Sequence, residues 1–144
     1  MRKDAYTSLR LVNTAKEVTE FMSAKGYPAP NRLPKGESLK NNVLGVYKRN
    51  AHNREIKWSL TDERFKALII LPCHYCGIVS SMVATAKCLF GDLAHNGVDR
   101  VNNKLGYTVE NSVPCCKLCQ KMKGTMSHEE FVNHSKRVAD HLSR

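Results

Sequence analysis

Two cysteine pairs constrain this chain more than any other feature. Cys73 and Cys76 stand in "PCHYCG", and Cys116 and Cys119 stand in "CKLC", with 39 residues between the pairs. Two residues between cysteines let both thiolates reach one ion from a tight turn. Four thiolates complete the closed tetrahedral sphere of a structural zinc. The spacing therefore predicts a zinc staple on Cys73, Cys76, Cys116 and Cys119. Gly77 suits the turn of the first knuckle. Cys115 is the awkward neighbour, because it also stands at a workable distance from Cys119 and competes with Cys116 for the ion. Adjacent side chains diverge, which places Cys115 in the core. Cys88 stands alone, as a small apolar residue or a free thiol.

A staple matters for a chain of 144 residues, whose apolar core is modest. No run of 18 apolar residues exists, so nothing is expected to span a membrane. The start "MRKDAYTSLR" lacks the apolar stretch of a signal peptide. A reducing cytoplasm is the default setting, in which cysteines point to metal or free thiols rather than to disulfides.

The formal charge is +10. Residues 1–57 carry twelve Lys and Arg against five acids, and residues 58–144 carry eleven against eight. This excess calls for a polyanionic partner, nucleic acid first.

Apolar spacing predicts an amphipathic helix over 5–25, ending at Gly26, then a turn-rich connection rich in proline. Together, 1–37 read as a helical arm and linker ahead of a main domain at 38–144. Ser38 is a candidate cap for a second helix running to about Asn53. Lys48, Arg49, His52 and Arg54 crowd the end of that helix. There they suit its dipole or a phosphate backbone. "EIKWS" is a short extended piece. Thr61 starts a helix with Asp62 and Glu63 in its first turn, stopped by Pro72. Leu93 to Val101 reads as one strand, "NNKLG" as a turn, with Asn102 and Asn103 as turn formers, and "YTVENSVP" as the return. A helix is expected to begin after Cys119, and the last helix opens with a capping box, Ser127 to Glu130.

The ordered set "PCHYCG", "NGVDRVNN", "GYTVEN" and "VPCCKLCQKMKG", extended by "SHEEFVNH", resembles the zinc-containing branch of the HNH endonucleases. The similarity runs over about residues 47–134, roughly 60% of the chain, and is nearest in flavour to phage-borne and mobile-element members, homing endonucleases among them. It implies an α+β fold: a ββα-metal core with a four-cysteine zinc ribbon, N-terminal helices and a C-terminal helix. It also implies a DNA endonuclease acting on double-stranded DNA with Mg²⁺ or Mn²⁺, in a phage-infected bacterial cytoplasm.

By the same resemblance, Asp99 matches the metal-binding Asp and Asn111 the Asn that orients the general base. Gln120 occupies the helix position of the second metal ligand, one methylene longer than the usual Asn. Arg100 stands where the family has its general-base His. A guanidinium does not accept a proton at neutral pH, so its expected work is on phosphate charge. Asp-Arg segments of this kind occur among phage members, in which another group must take the proton. His95 is the first candidate, if the strand bends at Gly97. His74 and Tyr75 in the first knuckle are others, and a metal-bound hydroxide needs no protein base. Lys48, Arg49, Arg54, Lys57, Lys117, Lys121 and Lys123 are the expected phosphate contacts. Two rivals stand beside this reading. One is a DNA-binding protein on a nuclease scaffold that has lost cutting, for which Arg100 and Gln120 are the evidence. The other is a zinc ribbon that binds protein, against which the positive charge argues.

Overall fold

A computed structural model of the chain describes residues 33–86 and 91–144. The helix expected over 5–25, most of the arm, and Cys88 lie outside the described residues. Helix α1 (Glu37–Asn53) starts one residue before the expected cap. Gly36, at φ 81°, precedes it and Ser38 lies inside its first turn. Glu37 fixes this start through ion pairs with Lys66 at 2.6 Å and Lys40 at 3.5 Å. A carboxylate in the first turn is also favoured by the helix dipole. The Lys66 ammonium beside it holds the Glu37 carboxyl below its ordinary range.

Helix α2 (Asp62–Leu68) is capped by Thr61, whose hydroxyl accepts from the Arg64 amide at 3.2 Å. Its inner face buries Phe65 and Leu68. "EIKWS" forms no strand, and only Trp58 makes an isolated bridge, to Tyr107. Strands β1 (Met82–Ala84) and β2 (Leu93–His95) pair antiparallel, as do β3 (Gly97–Arg100) and β4 (Ser112–Cys115). The single strand expected over 93–101 is therefore two, belonging to separate two-stranded sheets. Asn96 causes the break. Its backbone amide donates to Ile69 O at 2.7 Å, and its side-chain nitrogen faces the carbonyls of Leu71, Ile78 and Val79. With its backbone amide committed in this way, Asn96 has no backbone donor left for a ladder.

Helix α3 (Lys117–Lys123) begins earlier than expected, with Cys116 as its cap. Helix α4 (His128–Leu142) carries both bonds of its capping box, Glu130 N to Ser127 Oγ at 3.2 Å and Ser127 N to Glu130 Oε2 at 2.8 Å. Two cores result. One gathers Leu39, Leu44, Phe65, Leu68, Ile69, Val98 and Tyr107, with Tyr47 and Trp58 packed on it. The other gathers Cys73, Cys115, Cys116, Cys119 and Phe131, with Tyr75 and Met126. Strand β3 borders both, which sets Asp99 at their junction. Among the described residues no helix is long and apolar enough to cross a membrane.

Candidate active site and metal centre

The first knuckle turns at Gly77, whose φ of 75° belongs to the left-handed region that glycine enters at no steric cost. Gly77 N donates to Cys73 O, and Cys73 N to Ile78 O, both at 2.9 Å. The knuckle docks on β4 through His74 N to Pro114 O at 2.8 Å. On the other side Cys116 caps α3 with its own sulfur, which accepts from Cys119 N at 3.3 Å. The sulfurs of Cys73, Cys76, Cys116 and Cys119 all lie within 4.8 Å of one another, and Cys76 Sγ and Cys116 Sγ are 3.6 Å apart. A tetrahedral ion with bonds of ~2.3 Å to sulfur needs S···S separations of roughly 3.8 Å. The donor set and its spacing fit a metal ion such as zinc. Cys115 is outside this group: it is fully buried, its thiol points to Cys116 O at 3.4 Å, and burial together with the Asp99 charge pushes the thiol's pKa up.

Strand β3 alternates faces in the ordinary way. Asp99 faces Tyr75 of the second core and Lys123 of α3, and Val98 and Arg100 face the first core. Asp99 and Arg100 consequently work on opposite sides of the strand. Asp99 Oδ2 accepts from the Tyr75 hydroxyl at 2.9 Å. Burial raises the Tyr75 pKa, and the bond to Asp99 raises it further. The same oxygen lies 3.2 Å from Lys123 Nζ. Lys123 is 1% exposed, and its ammonium also reaches Arg100 O at 3.1 Å and Asn103 Oδ1 at 3.3 Å. This corrects the expectation that Lys123 contacts phosphate, since the ammonium is enclosed, donating to Arg100 O and Asn103 Oδ1 and forming an ion pair with Asp99.

Gln120 stands one turn before Lys123 on α3. Its amide nitrogen lies 3.4 Å from Val98 O, and its oxygen lies beside Gly97. The Asp99–Gln120 pair therefore does not fit a divalent ion. Gln120 sits over Gly97 and Val98, and the α3 residue that meets the Asp99 carboxylate is a cation. A divalent ion on Asp99 would share the carboxylate with that ammonium, and the two cations would repel each other.

Arg100 is turned toward the loop that joins β3 and β4. Its Nη1 donates to Asn103 O at 2.9 Å and Leu105 O at 2.7 Å, and its guanidinium carbon lies 5.6 Å from the centre of the Tyr107 ring. Asn111 holds the same loop. Its Oδ1 accepts from Asn102 N at 2.8 Å, and its Nδ2 donates to Asn102 O at 3.0 Å and Gly106 O at 2.9 Å. Both donors of the amide are committed to backbone. Asn111 thus orients the loop under Arg100 instead of a general base.

His95, the leading candidate base, lies beyond the Asn96 break on the other sheet. It is buried, pairs with Met82, and its Nδ1 is 2.8 Å from Asn96 O. Among the described residues no hydrogen bond joins it to Asp99. His74 is exposed and rests edge-on against Tyr75, with ring centres 5.0 Å apart. Of the knuckle residues, it is Tyr75 that reaches Asp99. Lys48, Arg49, Arg54, Lys57, Lys117 and Lys121 are all exposed, and Lys48 is paired with Asp62 at 2.5 Å.

Tyr47 is a site residue that the sequence shows only as a member of an apolar face. Its hydroxyl accepts from Val98 N at 3.0 Å, and burial raises its pKa. The signal available was Gly97, a strand glycine of the kind that marks close approach by another group.

No protein-family model matches the chain. It is similar to the solved structure of the rare-cutting HNH restriction endonuclease PacI, at a TM-score of 0.53 and 22% identity, over 70% of this chain and 77% of that one. It is also 30% identical over 118 residues to the uncharacterized protein R423 of Acanthamoeba polyphaga mimivirus. That match takes in 81% of this chain, which spans about a fifth (20%) of the length of that relative. The chain has an HNH-like α+β fold with a four-cysteine cluster beside its ββα core.

Proposed function

We propose that the chain is an endonuclease of the HNH type that hydrolyses phosphodiester bonds in double-stranded DNA, with a structural zinc in the four-cysteine cluster. The observation that carries the reading is the placement of Asp99, a carboxylate held on β3 against the helix that grows out of the second cysteine pair. The likeness in fold to a restriction endonuclease supports it. Four thiolates fill the coordination sphere of zinc, so the ion's contribution is to folding.

Hydrolysis of a phosphodiester needs an acceptor for the proton of the attacking water and positive charge near the phosphate oxygens. Asp99 supplies the acceptor through Oδ1, because Oδ2 already faces Tyr75 and Lys123. Arg100 supplies fixed charge to the DNA backbone from the other face of β3, its fork steadied by Asn103 O, Leu105 O and the Tyr107 ring. Lys48, Arg49, Arg54, Lys57, Lys117 and Lys121 are the exposed cations that would lie along the DNA backbone. A viral or mobile-element setting in the cytoplasm of an infected cell belongs to the same proposal, and the similarity to a mimivirus protein supports it.

A second reading has its own observation. Arg100 takes no proton, and its Nη1 is engaged by two loop carbonyls. A scaffold that binds DNA without cutting it would look the same there. Supercoiled plasmid separates the two. The zinc-loaded protein should nick it, and Asp99→Asn should bind DNA equally and not nick. Equal absence of nicking from both proteins, with both shifting DNA, would replace the enzyme by the binding protein.

A further inference from the structure

We propose that Lys123 is a built-in counter-cation for Asp99, so that this site does its work with a lysine ammonium where a divalent ion would otherwise sit. The inference rests on the nuclease reading for its purpose but not for its geometry.

Three observations carry it. The Lys123 ammonium lies 3.2 Å from Asp99 Oδ2, and both side chains are almost wholly withdrawn from solvent, 0% exposed for Lys123 and 11% for Asp99. An exposed pair at that distance would mean little; an enclosed one is a committed arrangement, because either charge alone would be left uncompensated. Next, the ammonium is anchored by two hydrogen bonds besides that ion pair. Its other two neighbours, Arg100 O and Asn103 Oδ1, come from the end of β3 and from the loop, and Asn103 is itself held by its amide nitrogen donating to Met126 O at 3.1 Å. The lysine is thus received by a prepared pocket. Finally, the second donor that a metal would need is elsewhere. Gln120, one turn earlier, gives its amide to Val98 O and lies against Gly97.

The division of labour follows. The ammonium holds Oδ2 in place, as the Tyr75 hydroxyl does. Oδ1 is left as the working oxygen. Lys123 never touches the phosphate, because it is enclosed, so it is a positioning residue. It also ties the carboxylate to the Arg100 backbone and to the loop on which the Arg100 side chain rests, and so couples the two charged groups of the site although they face opposite sides of β3.

The test uses the zinc-loaded full chain, with Mn²⁺ as the probe, followed by its electron spin resonance signal. Wild type is expected to leave added Mn²⁺ free at millimolar concentration, and its plasmid nicking is expected to be unchanged by EDTA at a concentration that leaves the zinc in place. Lys123→Met keeps the aliphatic stem and removes the charge, and should melt well below wild type. Lys123→Met combined with Asp99→Asn should recover most of that loss, since neither charge then remains. Should Lys123→Met alone fail to fold, the double variant still decides the matter. One Mn²⁺ bound per wild-type chain and lost in Asp99→Asn would overturn the proposal, and so would a double variant no more stable than Lys123→Met. Nicking that requires Mn²⁺ would leave the nuclease standing and remove the internal cation. If nothing is cut under any condition, the nuclease reading falls, and the Mn²⁺ and melting results still decide the role of Lys123.

Discussion

The hydroxyl of Tyr47 stands where a Cβ on Gly97 would have to go. An added Cβ would collide with Tyr47 Oη and lie 3.4 Å from Cys115 O. The same hydroxyl accepts from Val98 N at 3.0 Å. A helix of the first core thereby pins the start of β3, two residues before Asp99.

Gly97→Ala should accordingly destabilise the protein by about 1–3 kcal/mol, the usual cost of overpacking. Tyr47→Phe should cost about 1–2 kcal/mol, because it leaves a buried amide without its acceptor. Combining the two should cost less than the sum of the single losses, since the phenylalanine removes the atom with which the new methyl collides. Denaturant unfolding of the four proteins checks this, and strict additivity would show that the contact does not constrain β3.

The cysteine cluster gives a second prediction. The purified protein should carry about one zinc per chain, held tightly enough that a strong chelator unfolds the domain. Cys116→Ser should lose both zinc and fold, because Cys116 serves as ligand and as cap of α3. Cys115→Ala should keep its zinc and suffer only from a small buried cavity. Elemental analysis and circular dichroism of the two variants check the assignment, and retention of zinc by Cys116→Ser would reverse it.

How far the chain could be read in advance depended on the range of the interactions involved. The cysteine spacing, the Thr61 cap and the Ser127–Glu130 box are local devices, completed within a few residues, and each shows in the residues themselves. The break at Asn96 does not, because its cause is three carbonyls at Leu71, Ile78 and Val79, far away along the chain. Lys123 is the sharper case. A lysine in the last turn of a short helix beside other lysines reads as surface charge. What places it inside is the carboxylate of Asp99, on a strand well before it in the chain, together with an i, i+3 spacing that sets Lys123 and Gln120 on one face of α3. The family resemblance sets Arg100 and Asn111 near one another, but their common partner, the 102–106 loop, is visible only once the hairpin is folded.

DNA affinity should follow the exposed cations and not the buried one. Neutralising Lys48, Arg49, Arg54 and Lys57 together should reduce the slope of log affinity against log salt by roughly one for each phosphate that these side chains neutralise. Lys121→Gln should reduce it by about one more. Lys123→Met combined with Asp99→Asn, which removes one enclosed charge of each sign, should leave the slope unchanged. Titrations of duplex DNA at several salt concentrations check this. An unchanged slope after the fourfold neutralisation would place the binding face elsewhere.

Arg100 decides between cutting and mere binding. Its guanidinium is held by two carbonyls of a loop that Asn111 fixes, and it lies over Tyr107. If this rigid cation stabilises charge on the phosphate, Arg100→Ala should lower the nicking rate by a factor of about 100 or more, the size of effect seen when one preorganised donor is removed. Arg100→Lys should recover only part, because an ammonium cannot span two carbonyls and still present a planar fork. Asn111→Ala should lower the rate as well, by freeing the loop, and should cost about 3 kcal/mol of stability for three lost hydrogen bonds. Arg100→His completes the set. Were the wild type inert and this variant active, the arginine would mark a silenced site, and the chain would act by binding alone. With the arginine as a working cation, the histidine variant must instead be slower than wild type, because it gives up the fixed charge and the grip on Asn103 O and Leu105 O that hold the loop in place.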